Sequence, residues 1–226
     1  MKKITILTLV LTMVLGFSAN AKKKPAGFAG TITYKIKYEG RELSSDEEAQ
    51  MPNQQVSYFT ADKKMDKIIT PMGYYKTVMD YATNKVTVII EMMGQSMFGT
   101  FDKDEFKKDG DKDPEITINK LEATKTIAGY KCKKAEIVTK KDDKEVKTII
   151  YYTEELKPFH QDEDYKDING TILETEMIMG EGDEELTMIT TATEVKKGKV
   201  KSVEFLQPSG ATELTKEQLM QMGGGK

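Results

Sequence analysis

Residues 28–39 read Phe-Ala-Gly-Thr-Ile-Thr-Tyr-Lys-Ile-Lys-Tyr-Glu, a run in which apolar and polar side chains alternate. Ile32, Tyr34, Ile36 and Tyr38 fall on one face of an extended chain, and threonine, lysine and glutamate fall on the other. Because successive side chains of a strand point to opposite faces, this period of two predicts a long β-strand that is buried on one side.

The same alternation recurs along most of the chain. Similar runs follow near 55–61, 64–70, 73–81, 85–93, 115–119, 130–139, 145–153, 170–179, 184–195 and 200–206. Turn-forming residues such as Pro71-Met72-Gly73 separate the runs. Connections this short join antiparallel neighbours, since parallel strands need crossovers of about a dozen residues or more. The pattern predicts an all-β fold with minor helix.

Some runs are apolar on both faces, as at Ile149-Ile150-Tyr151-Tyr152. Such strands belong to the middle of a sheet that is covered on both sides. A single sheet of about ten strands tends to curl, and a curled sheet has a concave face that helices or a ligand can fill.

Two short helices are predicted from their capping residues. Ser44 with Glu47, or Ser45 with Glu48, forms a capping box before a helix that must end ahead of Pro52. Thr215 is the predicted N-cap of a C-terminal helix at about 215–222. No internal repeat and no interior linker rich in proline, glycine or serine divides the chain.

The first 21 residues have the features of a signal peptide. Lys2-Lys3 precedes an apolar run at 4–17, and Ala19-Asn20-Ala21 supplies the small residues that signal peptidase requires. The run is shorter than the roughly 20 residues that span a bilayer. We expect cleavage after Ala21, a periplasmic or secreted protein that is soluble after cleavage, and a single β-rich domain over 22–226 with its core at about 28–210.

Composition excludes several classes of function. The chain has 226 residues, of which 34 are basic and 37 acidic, so a net charge of −3 argues against a nucleic-acid partner. One cysteine and one histidine cannot build a disulfide framework, a structural zinc site or a histidine cluster. No metal or cofactor is predicted.

The candidates for catalysis and calcium binding are weak. Cys132 and His160 are the only possible cysteine nucleophile and histidine base, but their sequence neighbours do not support a catalytic pair. Asp109, Asp111 and Asp113 have the spacing of a calcium loop, yet proline stands where an EF-hand loop requires glycine. We therefore predict no catalytic residue and no enzymatic activity.

Methionine is unusually frequent, with 14 residues in the chain. Thioether sulfur can ligate Cu(I), but such sites usually include histidine or cysteine as well. Methionine also fills irregular apolar surfaces and suits contact with lipids. We interpret these side chains chiefly as core or cavity lining.

Four segments carry a resemblance to known envelope proteins. KTIAGYKCKKA (125–135), IYYTEEL (150–156), GTIL (170–173) and FLQPSG (205–210) occur in this order. The chain resembles envelope proteins of unknown function that are similar to the periplasmic lipoprotein carriers (LolA-like) and to the GLPGLI family. The resemblance implies a single, strongly curved antiparallel sheet, a half-barrel with short helices over its concave face. In the carrier family this cavity holds acyl chains.

From the alternation, we predict which side chains line the concave face and bind an apolar ligand. They are Ile32, Tyr34, Ile36, Tyr38, Val88, Ile90, Met92, Met177 and Met179. The expected function is non-enzymatic binding of a lipid or a lipoprotein acyl chain. The alternative is a structural or protein-interaction role in the envelope, with the concave face filled by the protein's own side chains.

Overall fold

The structure is a computed structural model that describes residues 27–106, 114–141, 144–160, 165–179, 182 and 185–223. The predicted signal peptide, 1–21, lies outside the described residues. Within the described part of the chain, no helix has the length and apolar character needed to cross a membrane.

Twelve strands and two short α-helices make up the fold. The strands are β1 (Gly30–Gly40), β2 (Gln54–Phe59), β3 (Lys63–Thr70), β4 (Gly73–Asp80), β5 (Lys85–Met92), β6 (Gln95–Asp102), β7 (Glu115–Ile127), β8 (Tyr130–Lys141), β9 (Lys144–Thr153), β10 (Thr171–Met179), β11 (Leu186–Lys197) and β12 (Thr212–Glu213). The helices are α1 (Ser45–Gln50) and α2 (Lys216–Gly223). Single 3₁₀ turns lie at Lys103–Phe106 and Ser202–Phe205.

All twelve strands belong to one open sheet, in the order β12-β6-β5-β4-β3-β2-β1-β11-β10-β9-β8-β7. Strands β1–β6 form one antiparallel meander and β7–β11 form another. The two meanders join where the long strands β1 and β11 pair antiparallel. Only the two-residue strand β12 runs parallel to its neighbour, β6. The predicted all-β class with minor helix is confirmed.

The sheet is strongly curved. In strand order β7 lies four positions from β11, which would put them about 19 Å apart in a flat sheet. The two strands are nevertheless in contact, and Ile127 of β7 packs in one cluster with Ala192 of β11 and Ile32 of β1. Register shifts at Thr33/Tyr34 and in β7 and β10 mark irregularities of the bulge type, which increase local twist.

The face that carries Ile32, Tyr34, Ile36 and Tyr38 is the concave face. Residues 165–170, which precede β10, cover part of it, because Ile168 is fully buried against Ile150 and Tyr152. Helix α1 has no buried residue, and α2 contacts β6.

The opposite, convex face of β2–β6 is covered by the chain that follows β11. Lys76 Nζ of β4 lies 3.4 Å from the carbonyl oxygen of Glu204. The chain then reaches the far edge of the sheet, where β12 pairs with β6. The register places the buried residues Met65, Val78 and Ile89 on this convex face.

The predicted caps of both helices are confirmed. At α1, Ser44 Oγ accepts a hydrogen bond from the Glu47 amide, and the Glu47 carboxylate accepts one from the Ser44 amide. At α2, Thr215 and Gln218 exchange the same two bonds, at 2.9 and 3.3 Å.

Two parts of the predicted strand pattern are wrong. Residues 200–206 do not form a strand, because both edges of the preceding strand β11 are already occupied by β1 and β10. A 3₁₀ turn over Ser202–Phe205 lies there instead. Strand β6, which the pattern did not predict, pairs with β5 through a two-residue turn at Met93-Gly94.

Candidate ligand-binding site

The register shows where the nine predicted ligand-binding residues lie. Ile32 aligns through β2, β3 and β4 with Val88, and Tyr34 aligns across the same strands with Ile90. Directly opposite residues in neighbouring strands point to the same face. By the same rule, Ile36, Tyr38, Met92, Met177 and Met179 also lie on the concave face.

These nine side chains do not form one pocket. Ile32 and Tyr34 are buried in the core cluster at the floor of the curved sheet. Ile36 and Ile90 are also buried, with 7% and 5% of their surface exposed. Tyr38, Val88, Met92, Met177 and Met179 are half-buried, so they remain reachable from outside.

Two cross-strand rows of apolar side chains stand on the concave face. The first, which we call the isoleucine row, crosses β3 to β6 as Ile68, Tyr75, Ile90 and Met97. The second, the methionine row, crosses β1, β11 and β10 as Tyr38, Met188 and Met177. Only Ile90 of these seven is buried, and Tyr75 is 41% exposed. The rows therefore leave apolar surface open on the concave side.

A small cavity of about 230 Å³ lies on the same face, and Tyr34 alone of the nine predicted residues lines it. Its wall includes Asp66 of β3 and Thr175 of β10, which are four strands apart in sheet order. Strands that far apart can share so small a cavity only if this face is the inside of the curve.

Tyr34 forms part of the cavity floor. Its hydroxyl donates a hydrogen bond to the carbonyl oxygen of Ile172 at 3.0 Å, which joins β1 to β10 over the intervening strand. Burial, followed by the negative charge of Asp66, raises the pKa of Tyr34 well above its usual value. The hydroxyl therefore stays protonated at neutral pH.

A polar cluster from β2 and β3 forms one wall. Ser57 Oγ donates to Asp66 Oδ1 at 2.5 Å, and Gln55 Nε2 lies 3.1 Å from the Ser57 oxygen and 3.4 Å from the same carboxylate oxygen. Lys64 Nζ lies 3.5 Å from Asp66 Oδ2. The carboxylate is thus held by a hydroxyl, an amide and an ammonium group.

Strands β10 and β11 supply the opposite wall. Thr175 and Thr190 are directly paired across the two strands, and both line the cavity. Beside them, Glu174 is only 2% exposed. Its carboxylate accepts hydrogen bonds from Lys125 Nζ at 2.6 Å and from Thr191 Oγ1 at 2.8 Å.

The residues before β10 contribute Pro158, His160 and Tyr165 to the cavity lining. The His160 ring stacks on Tyr81, with ring centroids 3.9 Å apart, and its Nε2 lies 2.9 Å from the carbonyl oxygen of Ala61. His160 therefore contacts the β2–β3 turn, which contains Ala61, and the β4–β5 turn, which contains Tyr81.

The geometry does not assemble a nucleophile with a base in the described residues. Cys132 has no exposed surface, contacts the carbonyl oxygen of Tyr130, and has its pKa raised to about 11 by burial. The ring nitrogen of His160 that has a partner bonds a carbonyl oxygen, not Cys132. Ser57 hydrogen-bonds a carboxylate without an intervening histidine, so it lacks the usual means of activation.

No group of three or more metal-ligating side chains occurs within the ranges that the structure describes. The calcium-loop candidates Asp109, Asp111 and Asp113 lie outside those ranges. The side chains of Met220 and Met222, at the C-terminal end, also lie outside the description.

The sequence pattern missed most of the cavity wall. Gln55, Ser57, Asp66, Thr175 and Thr190 come from four strands and are brought together only by the register. The signal that could have found them is a polar residue on the apolar face of a strand, as Ser57 and Asp66 are.

Comparison of the sequence with protein-family models and with curated proteins gives no match.

Proposed function

We propose that this protein is an exported, non-enzymatic binding protein of the cell envelope that holds the acyl part of a lipid or lipoprotein against its concave face. The observation that carries the proposal is the open apolar surface of the isoleucine row and the methionine row. Exposed apolar surface on one concave face is typical of a binding site for an apolar partner.

The chemistry of the rows suits a flexible chain. Met97, Met177 and Met188 have unbranched side chains with a polarisable sulfur, which adapt to ligands of irregular shape. Tyr38 and Tyr75 add large, weakly polar surface. The sheet is open at both edges, so a long ligand can enter from the side without any separation of paired strands.

The sequence adds support for the location. The predicted signal peptide at 1–21 indicates export, and the resemblance to LolA-like carriers suggests a periplasmic or secreted protein that binds acyl chains. Fractionation of expressing cells, with N-terminal sequencing of the exported chain, tests this part of the proposal.

A displacement assay with a fluorescent fatty acid tests binding. Met177→Lys places a charge in the methionine row at a half-buried position, and we expect at least a tenfold loss of affinity because a desolvated ammonium opposes an acyl chain. Ile178→Lys is the matched control, since Ile178 is the next residue of β10, is 52% exposed and points to the convex face. Absence of saturable binding, or equal loss in both variants, would refute the proposal.

A protein-interaction role is the second candidate, and one observation favours it. Val203 and Leu206, in the segment that covers the convex face, are 60% and 58% exposed. Native mass spectrometry of protein purified from an envelope fraction separates the candidates. Lipid that co-purifies supports acyl binding, whereas a lipid-free protein that also fails the displacement assay supports the interaction role.

A further inference from the structure

We infer that the 230 Å³ cavity is a binding site for one small, neutral, hydroxyl-rich group, such as a single pyranose ring or a glycerol unit. The inference deepens the proposed function by naming the polar head of the bound amphiphile. It rests on that function only for the attached acyl chain, because the cavity has its own lining and its own chemistry.

The volume of the cavity limits its occupant. About 230 Å³ corresponds to roughly eight water molecules at about 30 Å³ each. Pockets for drug-sized ligands begin at about 300 Å³. The cavity therefore accepts one sugar ring or a glycerol unit, whereas a full acyl chain must lie outside it, along the apolar rows.

The charges at the cavity favour a neutral occupant. Asp66 is paired with Lys64, and Glu174 is paired with Lys125. An anion would have to approach two carboxylates, and a cation would have to compete with two ammonium groups that are already in place. A neutral group avoids the cost of transferring an uncompensated charge into a partly buried site.

Hydroxyl and amide groups line the cavity in a way that suits hydroxyl ligands. Thr175 and Thr190 point into it from adjacent strands, and neither hydroxyl has a hydrogen-bonding partner within the described residues. Tyr34 donates to Ile172, which leaves its oxygen able to accept. Gln55 uses its amino group toward Ser57 and Asp66, so its carbonyl oxygen can also accept.

Apolar groups complete the lining. Phe59, Pro158, Tyr165 and Ile172 form part of the wall. A pyranose ring has a hydroxyl rim and apolar C–H faces, so it needs both kinds of surface at once. A site that combines a few fixed polar groups with aromatic and aliphatic walls meets this requirement.

The cavity also lies where a head group would be needed. The Thr175–Thr190 pair is two residues along β10 and β11 from the Met177–Met188 pair of the methionine row. Two residues of a strand correspond to about 7 Å. A head group in the cavity can therefore continue directly into an acyl chain on the methionine row.

Isothermal titration calorimetry with three classes of probe tests the inference. The first class is the free polyols methyl β-glucoside and glycerol. The second is octyl β-glucoside, a sugar with a tail, and the third is an octyl oligo(ethylene glycol) ether, a tail without a sugar, both used below their micellar concentrations. We expect the free polyols to bind weakly and octyl glucoside to bind more tightly than the ether.

The variant Thr190→Val removes a hydroxyl from the cavity while it keeps the shape and the strand preference of the side chain. We expect it to weaken binding of the polyols and of octyl glucoside about fivefold, as loss of one hydrogen bond predicts. Thr187→Val, on the same strand but on the convex face, is the control and should leave binding unchanged.

The outcomes separate this inference from the proposed function. If the ether binds as tightly as octyl glucoside and Thr190→Val changes neither, the head-group site is refuted and acyl binding stands. If the polyols bind, Thr190→Val weakens their binding and the ether does not bind, the cavity site is supported and acyl binding is refuted. Absence of binding by every sugar and polyol probe would refute the inference.

Discussion

The ion pair between Lys125 and Glu174 offers the sharpest test of how the curved sheet is held together. Glu174 is 2% exposed and its carboxylate lies 2.6 Å from Lys125 Nζ, whereas the lysine side chain is 48% exposed. The two residues belong to β7 and β10, which are three positions apart in the sheet. The pair therefore joins the edge strand to a strand three positions away in the sheet. We predict that Lys125→Met destabilises the protein more than substitution of a surface-accessible lysine usually does.

The magnitude follows from burial. Removing one partner of a fully buried ion pair typically costs about 3–5 kcal/mol, and a hydrogen bond to a charged group contributes about 1.5–3 kcal/mol. Water reaches the half-exposed lysine, and Thr191 Oγ1 remains as a partner for the carboxylate. We therefore expect a loss of about 2 kcal/mol in the free energy of unfolding.

A matched control is available on the neighbouring strand. Lys133 Nζ lies 2.9 Å from Glu154, but both side chains are exposed, at 53% and 42%. Exposed pairs of this kind contribute between about 0 and 1 kcal/mol, so Lys133→Met should have a small effect. In a double-mutant cycle, Glu174→Gln should cost less in the Lys125→Met background than in the wild type, because no unpaired charge is then left buried.

Urea denaturation of the purified protein at pH 7, with each variant at the same ionic strength, measures these differences. The Glu174 interaction raises the pKa of Lys125, so the stabilisation is fully present below the usual lysine pKa of 10.5 and is lost as pH rises through the higher folded value. The gap between wild type and Lys125→Met should therefore be constant up to the usual lysine pKa and shrink only as the folded-state lysine loses its proton. Equal effects of Lys125→Met and Lys133→Met at pH 7, or a coupling energy near zero, would refute the reasoning.

Three further predictions follow from single positions. Met93 has a φ of +51°, which is unfavourable for residues with a Cβ other than asparagine and aspartate, so Met93→Asn should raise the free energy of unfolding by about 0.5–1 kcal/mol. Gly94→Ala at φ +78° should lower it by about 1 kcal/mol, and urea titration checks both. Burial raises the pKa of Cys132 to about 11, so the native thiol should react with a disulfide reagent at pH 8 about a hundredfold more slowly than the thiol of the unfolded chain. For the same reason, the wild type should lose more stability than Cys132→Ala as the pH rises from about 9 to 11. Fast labelling of the native protein would show that the thiol is accessible. N-terminal sequencing of the exported chain should begin at Lys22, and a start at Met1 would contradict cleavage after Ala21.

Local alternation predicted most of the sheet because each strand of a meander pairs with its neighbour in sequence. The runs at 64–70, 73–81 and 85–93 agree with β3, β4 and β5 to within one residue at each end. In these hairpins the turn fixes the register, so that the apolar face of one strand continues onto the next. The common face of Ile32, Tyr34, Val88 and Ile90 follows from the same rule.

Strand β6 was not predicted because the residues of the turn before it are not those typical of a two-residue hairpin turn. Two-residue hairpin turns with positive φ at both positions favour Asn-Gly or Asp-Gly, and here Met93 occupies the first position. Gly99 in the middle of β6 further weakens the strand pattern. In the fold, a Cβ at Gly99 would collide with the ring of Phe101, so glycine is required by packing that the local sequence does not reveal.

The false strand at 200–206 has a different cause. Val203 and Phe205 alternate with polar residues, which is the pattern of a half-buried strand. The topology decides against it, since β11 already has a partner on each side and the chain must cross the convex face to reach β6. Long-range pairing between β1 and β11 removes the free edge, and no local pattern can report that.

The polar cavity could not be predicted from the sequence, because only long-range strand pairing brings its residues together. Its composition bears on the proposed function. Ser57 and Asp66 occupy positions of the concave face where an apolar residue would continue the core, and Ser57 is 2% exposed. Burying a hydroxyl and holding a carboxylate costs free energy that apolar side chains of similar size would not cost. A core filled only for stability has no need of these groups, nor of the hydroxyls of Thr175 and Thr190 opposite them, which have no hydrogen-bonding partner among the described residues. The polar groups in the cavity wall and the open methionine and tyrosine surface beside it therefore support the proposed binding of an amphiphile, with its head and its tail in adjoining parts of one concave face.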